Sequence, residues 1–126
     1  MNVCVYSSLV FITNSIAAWL KGEMIYSGCF GGLVVTSIVF HNRRDSIVAF
    51  WADQVFVVSV TVCGACILYK TWDILPHFAK MGAIISFFIS IYMYYINRFE
   101  QDTEIADKLH SILHYVCSLG HHSLLL

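Results

Sequence analysis

Charge is what this sequence has least of. Of its 126 residues, seven are Lys or Arg and eight are Asp or Glu, together 12%. A soluble domain carries about a quarter. So few charges cannot clothe a water-soluble globule, and a net charge of -1 with no basic tract excludes a nucleic-acid partner. Proline occurs once, at Pro76, and no repeat, low-complexity tract or domain linker interrupts the chain. The first apolar run, 3–20, also lacks the basic flank of a signal peptide. Equally apolar runs follow it, so it reads as a retained membrane span.

What the sequence has is hydrocarbon: 59% of residues are hydrophobic and the mean hydropathy is +0.73. The few charges cluster between long uncharged runs, the pattern that spans and loops impose. The expectation is an all-α integral membrane protein, multi-pass, a single domain over residues 1–126 with about five transmembrane helices. The spans fall at about 3–20, 24–41, 48–69, 78–96 and 104–126. Trp19, Lys21 and Glu23 close the first. Gly28, Gly31 and Gly32 give the second a packing face.

His41-Asn42-Arg43-Arg44-Asp45 is the first strongly polar loop. Lys70, Trp72, Asp73 and Pro76 mark the exit of the third span. Tyr92, Tyr94 and Tyr95 form an aromatic belt at the end of the fourth. The segment 100–108 is acidic and soluble in character, and the 18 residues after it reach about 27 Å as helix, enough for a thin crossing. With five spans the N-terminus, the Arg43/Arg44 loop and Arg98 share one side. The arginine pair favours the cytoplasm for it. Lys21, Lys70 and Lys80 belong to the other side.

Five cysteines (Cys4, Cys29, Cys63, Cys66 and Cys117) lie almost entirely within apolar runs. Cys63 and Cys66 have the spacing of a redox motif but sit mid-helix without a turn, so they read as small core residues.

Histidine and aspartate are costly inside a span, so each one there is a functional candidate. His110 and His114 are four residues apart, on one helical face, where both imidazoles can reach one metal ion. Ser37 and His41 share the same spacing at the end of the second span. Asp53 follows a turn or so into the third. Asp45, beside Arg43 and Arg44, reads as an ordinary loop charge. The parity of five spans puts Ser37, His41, Asp53, His110 and His114 in one leaflet. Three histidines, a carboxylate and an open position are the makings of a catalytic zinc site. His121 projects from nearly the same face as His114 but about 10 Å further along the helix, too far to share an ion. With His122 it reads as a far-side interfacial residue, and His77 as a loop histidine on that side.

These residues resemble a known group. Ser37-Ile38-Val39-Phe40-His41, Asp53 downstream, and His110 with His114 are similar to the motifs of the CREST superfamily. It contains the alkaline ceramidases, the progestin and adiponectin receptors, and hydrolases that remodel GPI-anchor lipids. Phe40-His41-Asn42-Arg43-Arg44-Asp45 is most similar to the last branch, with about one extra residue. The resemblance implies that His41, His110 and His114 hold zinc, that Asp53 contacts the activated water, and that Ser37 lies beside the site. It covers roughly residues 36–54 and 109–115. Superfamily members have seven spans, so this is a shortened form. Removing two spans between Asp53 and the histidine pair preserves the parity but opens the site, and a homodimer would complete the wall.

The function expected is a zinc-dependent hydrolase of lipid amide or ester bonds, ceramidase-like, acting on ceramide or another acyl lipid. Its rivals are a non-catalytic receptor or assembly protein with a structural metal site, and a haem-binding membrane electron carrier using His41 with His110 or His114. A di-iron hydroxylase needs around eight histidines in clustered boxes, and six are present.

Overall fold

A backbone surrounded by hydrocarbon has to satisfy its own N–H and C=O groups, and long apolar runs do so as helices. The computed structural model, which describes residues 2–126, has six helical segments and no strand among those residues. They are α1 (Val3–Ser8), α2 (Phe11–Leu20), α3 (Met24–Asn42), α4 (Ile47–Lys70), α5 (His77–Phe99) and α6 (Thr103–Ser123). Asn2, Ser46 and Asp102 cap α1, α4 and α6 by accepting from backbone N–H groups of the first turn. Gly22, with φ of 77°, makes the turn from α2 to α3.

The fold is all-helical, with four helices long and apolar enough to cross a membrane: Val3–Leu20, Met24–Asn42, Ile47–Lys70 and His77–Phe99. Where a fifth crossing was expected, α6 is long enough at 21 residues but not apolar enough. It is amphipathic and lies inside the bundle, where α5, α1 and α2 take its apolar and histidine-bearing faces. At the centre on the other side, α3 touches α1, α2 and α4.

The first crossing, expected as one uninterrupted helix, steps at Leu9 and Val10. The cause is local. The hydroxyls of Ser7 and Ser8 both donate to the Cys4 carbonyl, at 3.1 and 2.7 Å. Such back-bonding competes with the ladder and bends membrane helices. The backbone tightens to three-residue spacing, with Leu9 N bonded to Tyr6 O and Val10 N to Ser7 O.

Two close approaches fix the neighbouring helices. A Cβ on Gly32 would fall 2.1 Å from the Phe56 ring, and one on Gly120 would fall 2.6 Å from Ser86 Cβ. Of the glycines expected to form a packing face on α3, only Gly32 meets a neighbouring helix closely. Gly31 reaches Ser15 at 3.8 Å, and Gly28 faces open space. Between α2 and α6, Asn14 and Ser118 form a closed clamp: Asn14 Nδ2 donates to the Ser118 carbonyl at 3.0 Å, and Ser118 Oγ donates to Asn14 Oδ1 at 2.6 Å. The outer faces of α4 and α5 are apolar and exposed, with Val55, Val58, Val62, Phe87, Phe88 and Ile91 among their large side chains. Water would not tolerate a patch of that extent, whereas acyl chains would. All five cysteines are free, with Cys4 buried, Cys63 half-buried and Cys66 exposed on α4 rather than in the core. Lys80 is buried, its ammonium 4.9 Å from the centre of the Trp72 ring.

Candidate metal centre

Helical spacing delivers the site residues in pairs. Ser37 and His41 occupy successive turns at the end of α3. His110 and His114 do the same in the first half of α6. Asp53 sits in the second turn of α4. Folding brings the two histidine elements together: one ring nitrogen from each of His41, His110 and His114 lies within 4.8 Å of the others. The ring centroids are 4.9 Å apart for His41 and His110, 5.5 Å for His41 and His114, and 4.7 Å for His110 and His114. Nitrogens on a tetrahedral zinc with bonds of about 2.1 Å sit roughly 3.4 Å apart. Modest ring rotations therefore close this triad on an ion.

One atom tests that fit. His41 Nε2 is buried and has no hydrogen-bond partner, the one such side-chain N or O atom among the described residues. A buried polar atom left unmet costs about 1–3 kcal/mol. A cation held by the three imidazoles would satisfy it, and neutral imidazoles suit zinc.

A partner for one of these rings comes from α1, and sequence reasoning missed it. Ser7 Oγ lies 2.7 Å from His114 Nδ1 and is 1% exposed. A hydroxyl has one proton. Given to the Cys4 carbonyl, it leaves Ser7 Oγ to accept from His114 Nδ1–H, and His114 then presents Nε2 as a lone pair. A ligand histidine is commonly oriented this way. Ser8 and Ser37 are hydrogen-bonded at 3.0 Å, so the Cys4 carbonyl anchors hydroxyls on both sides of the site. The available signal was a Ser-Ser pair interrupting an apolar run at the depth of Ser37 and His41.

Asp53 is buried but is not one of the clustered ligands. Thr36 Oγ1 donates to its Oδ1 at 3.2 Å, and Ser37 is the second hydroxyl beside it. Asp45 is exposed on the loop, as expected. Its neighbour Arg44 reaches over the site to Asp107, at 2.7 Å, while Cys4 Sγ donates to the Asp107 carbonyl at 3.4 Å. Asp107 lies one turn before His110, so this ion pair ties the α3–α4 loop to the helix carrying two of the triad. The acidic stretch expected to be merely soluble thus supplies a structural contact.

The far histidines depart from expectation. His121 turns inward rather than toward a surface: Tyr26 OH is hydrogen-bonded to its Nδ1, and Phe30 packs edge-to-face against its ring with centroids 5.0 Å apart. His122 Nε2 bonds Thr13 Oγ1 at 2.9 Å, across to α2.

Compared with models of protein families, with curated proteins and with solved structures, the chain finds no match in any of the three.

Proposed function

We propose that this chain is a multi-pass integral membrane protein with an intramembrane zinc site, a shortened relative of the CREST hydrolases that cleaves amide or ester bonds of acyl lipids. The observation that carries this reading is the buried, unpartnered His41 Nε2 among two further imidazoles. His41, His110 and His114 would hold the ion. Three protein ligands leave a position open, the arrangement of catalytic rather than structural zinc. Zinc supplies Lewis acidity, which polarises a carbonyl and acidifies water.

The chain's own groups serve the rest of the reaction. With Oδ1 engaged by Thr36, Asp53 Oδ2 is free to take a proton from water and return it to the leaving group. Ser37, beside that carboxylate, is placed to hydrogen-bond the attacked carbonyl or the water. Ser7 holds His114 in the tautomer that ligation needs. The exposed apolar faces of α4 and α5 keep acyl chains next to the site. The His41 ring packs directly against both partners, with centroids 4.9 and 5.5 Å away, which leaves no slot for a macrocycle between them and disfavours the haem reading.

The non-catalytic reading keeps the same metal and gives it only the task of tying α3 to α6. The experiment that separates the two supplies the purified protein with ceramides and phospholipids in liposomes. Release of free fatty acid, abolished by a zinc chelator, is the expected result. Asp53→Asn should keep its zinc and lose about a hundredfold or more in rate, the usual contribution of a general base. A zinc-loaded preparation that releases no fatty acid from a broad lipid panel would leave the site structural.

A further inference from the structure

About two turns past His114 on α6 lies an imidazole, His121, that the hydrolase reading does not use, set in a groove of which that reading uses only the apolar outer surface. A lateral groove of about 560 Å³ runs between α4 and α5, with α6 as its floor. It extends from Gln54 and Leu113, neighbours of Asp53 and His114, to Leu68 and Leu124. Its walls are almost wholly apolar, and one imidazole, His121, lies among them.

That imidazole is held in place. Tyr26 OH is hydrogen-bonded to His121 Nδ1, and that nitrogen is the one partner found for the phenol. A buried phenol proton needs an acceptor, so Tyr26 donates and Nδ1 accepts. The ring proton is then on Nε2. Nε2 has no partner within the protein and is not among the fully enclosed atoms, and because the ring lines the groove, the groove is where its N–H can find an acceptor. Gly64 makes the arrangement sterically workable, because a Cβ there would stand 3.1 Å from both Cε1 and Nδ1 of the ring. Gln54, Ser86 and Tyr94 also line the groove, but His121 is its one imidazole and is prepared from behind by a tyrosine. A few placed polar groups in an apolar slot are how pockets fix the orientation of an otherwise apolar ligand.

We propose that this groove binds a second lipid, a long acyl chain whose carbonyl or carboxyl oxygen accepts a hydrogen bond from His121 Nε2–H. An unadorned hydrocarbon would leave that donor unmet in a medium without water. The site is separate from the metal and does not depend on catalysis there.

Photolabelling tests it directly. The intact protein in detergent is exposed to palmitic acid carrying a terminal diazirine, and labelled peptides are mapped. Labels should fall on the groove segments of α4, α5 and α6. Unlabelled palmitic acid and methyl palmitate are competed in separate arms: protection by both assigns an acyl carbonyl, and protection by the acid alone assigns a free carboxyl. Hexadecane at the same concentration should not protect.

His121→Phe should weaken labelling roughly fivefold to tenfold, the weight of one hydrogen bond, and His121→Gln, which keeps a donor, should restore much of it. Ala65→Trp, at an exposed groove position, should block labelling while leaving the fold and the bound zinc unchanged. Equal protection by hexadecane, or labelling indifferent to both His121→Phe and Ala65→Trp, would overturn the proposal and leave ordinary annular lipid.

Discussion

At the scale of single residues, the atom that matters most is His41 Nε2, because its burial without a partner costs about 1–3 kcal/mol that a bound cation would offset. Ser7 is the complementary case, a hydroxyl whose value lies in what it does to a neighbour. Ser7→Ala removes the contact to His114 Nδ1. The ring is then free to change tautomer, and zinc affinity should fall by about 10–100-fold, the usual cost of losing the group that orients a ligand histidine. Competition with a chelator of known affinity checks this, and an affinity unchanged from wild type would mean that Ser7 only packs. Ser8→Ala, which touches Ser37 instead, should leave zinc affinity near wild type.

At the scale of the helix, the chain shows what periodicity can and cannot encode. The pairs Ser37/His41 and His110/His114 were legible because positions four apart share a face whatever the surroundings. The separation of His121 from His114 along α6 was legible for the same reason, from about 1.5 Å of rise per residue. The direction in which a face points was not. His121 and Gly28 are at the expected depths, yet one turns inward to Tyr26 and the other outward to open space. Nor does a serine in an apolar run announce whether it bends its own helix or serves another. Ser7 does both.

The Asn14–Ser118 clamp is the strongest test at this scale, since it joins α2 to the α6 half that follows the triad. Replacing Asn14 with Leu strands the Ser118 hydroxyl and carbonyl. That should lower stability by about 1–2 kcal/mol, in the range measured for interhelical hydrogen bonds in membranes. Denaturation in detergent reads it out, and no loss would show that the clamp merely coexists with good packing. Gly120→Leu should be worse, because the added side chain meets Ser86 where a Cβ alone already clashes.

At the scale of the whole molecule, topology carries the account. An odd number of helical traverses between the serines of α1 and the histidines of α3 and α6 would scatter them over two leaflets. The observed order brings them together at one end of the bundle. The all-helical fold was readable from charge poverty and long uncharged runs, and four helices are apolar enough to cross a membrane. Of the about five spans expected, the last a thin crossing, four are apolar enough on their own; α6 packs against α5, α1 and α2 and so needs less hydrophobicity of its own. Its mixed composition is also what allows it to carry four buried or half-buried histidines, His110, His114, His121 and His122.

The central claim is that the histidine triad binds zinc, and metal content of the purified protein tests it most directly. Wild-type protein and the variants His41→Ala, His110→Ala and His114→Ala are prepared side by side, with helical content confirmed for each. The account predicts close to one zinc per chain in the wild type and loss of most of it in every variant. Full zinc occupancy in all three variants, or a well-folded wild type that takes up none, would contradict it.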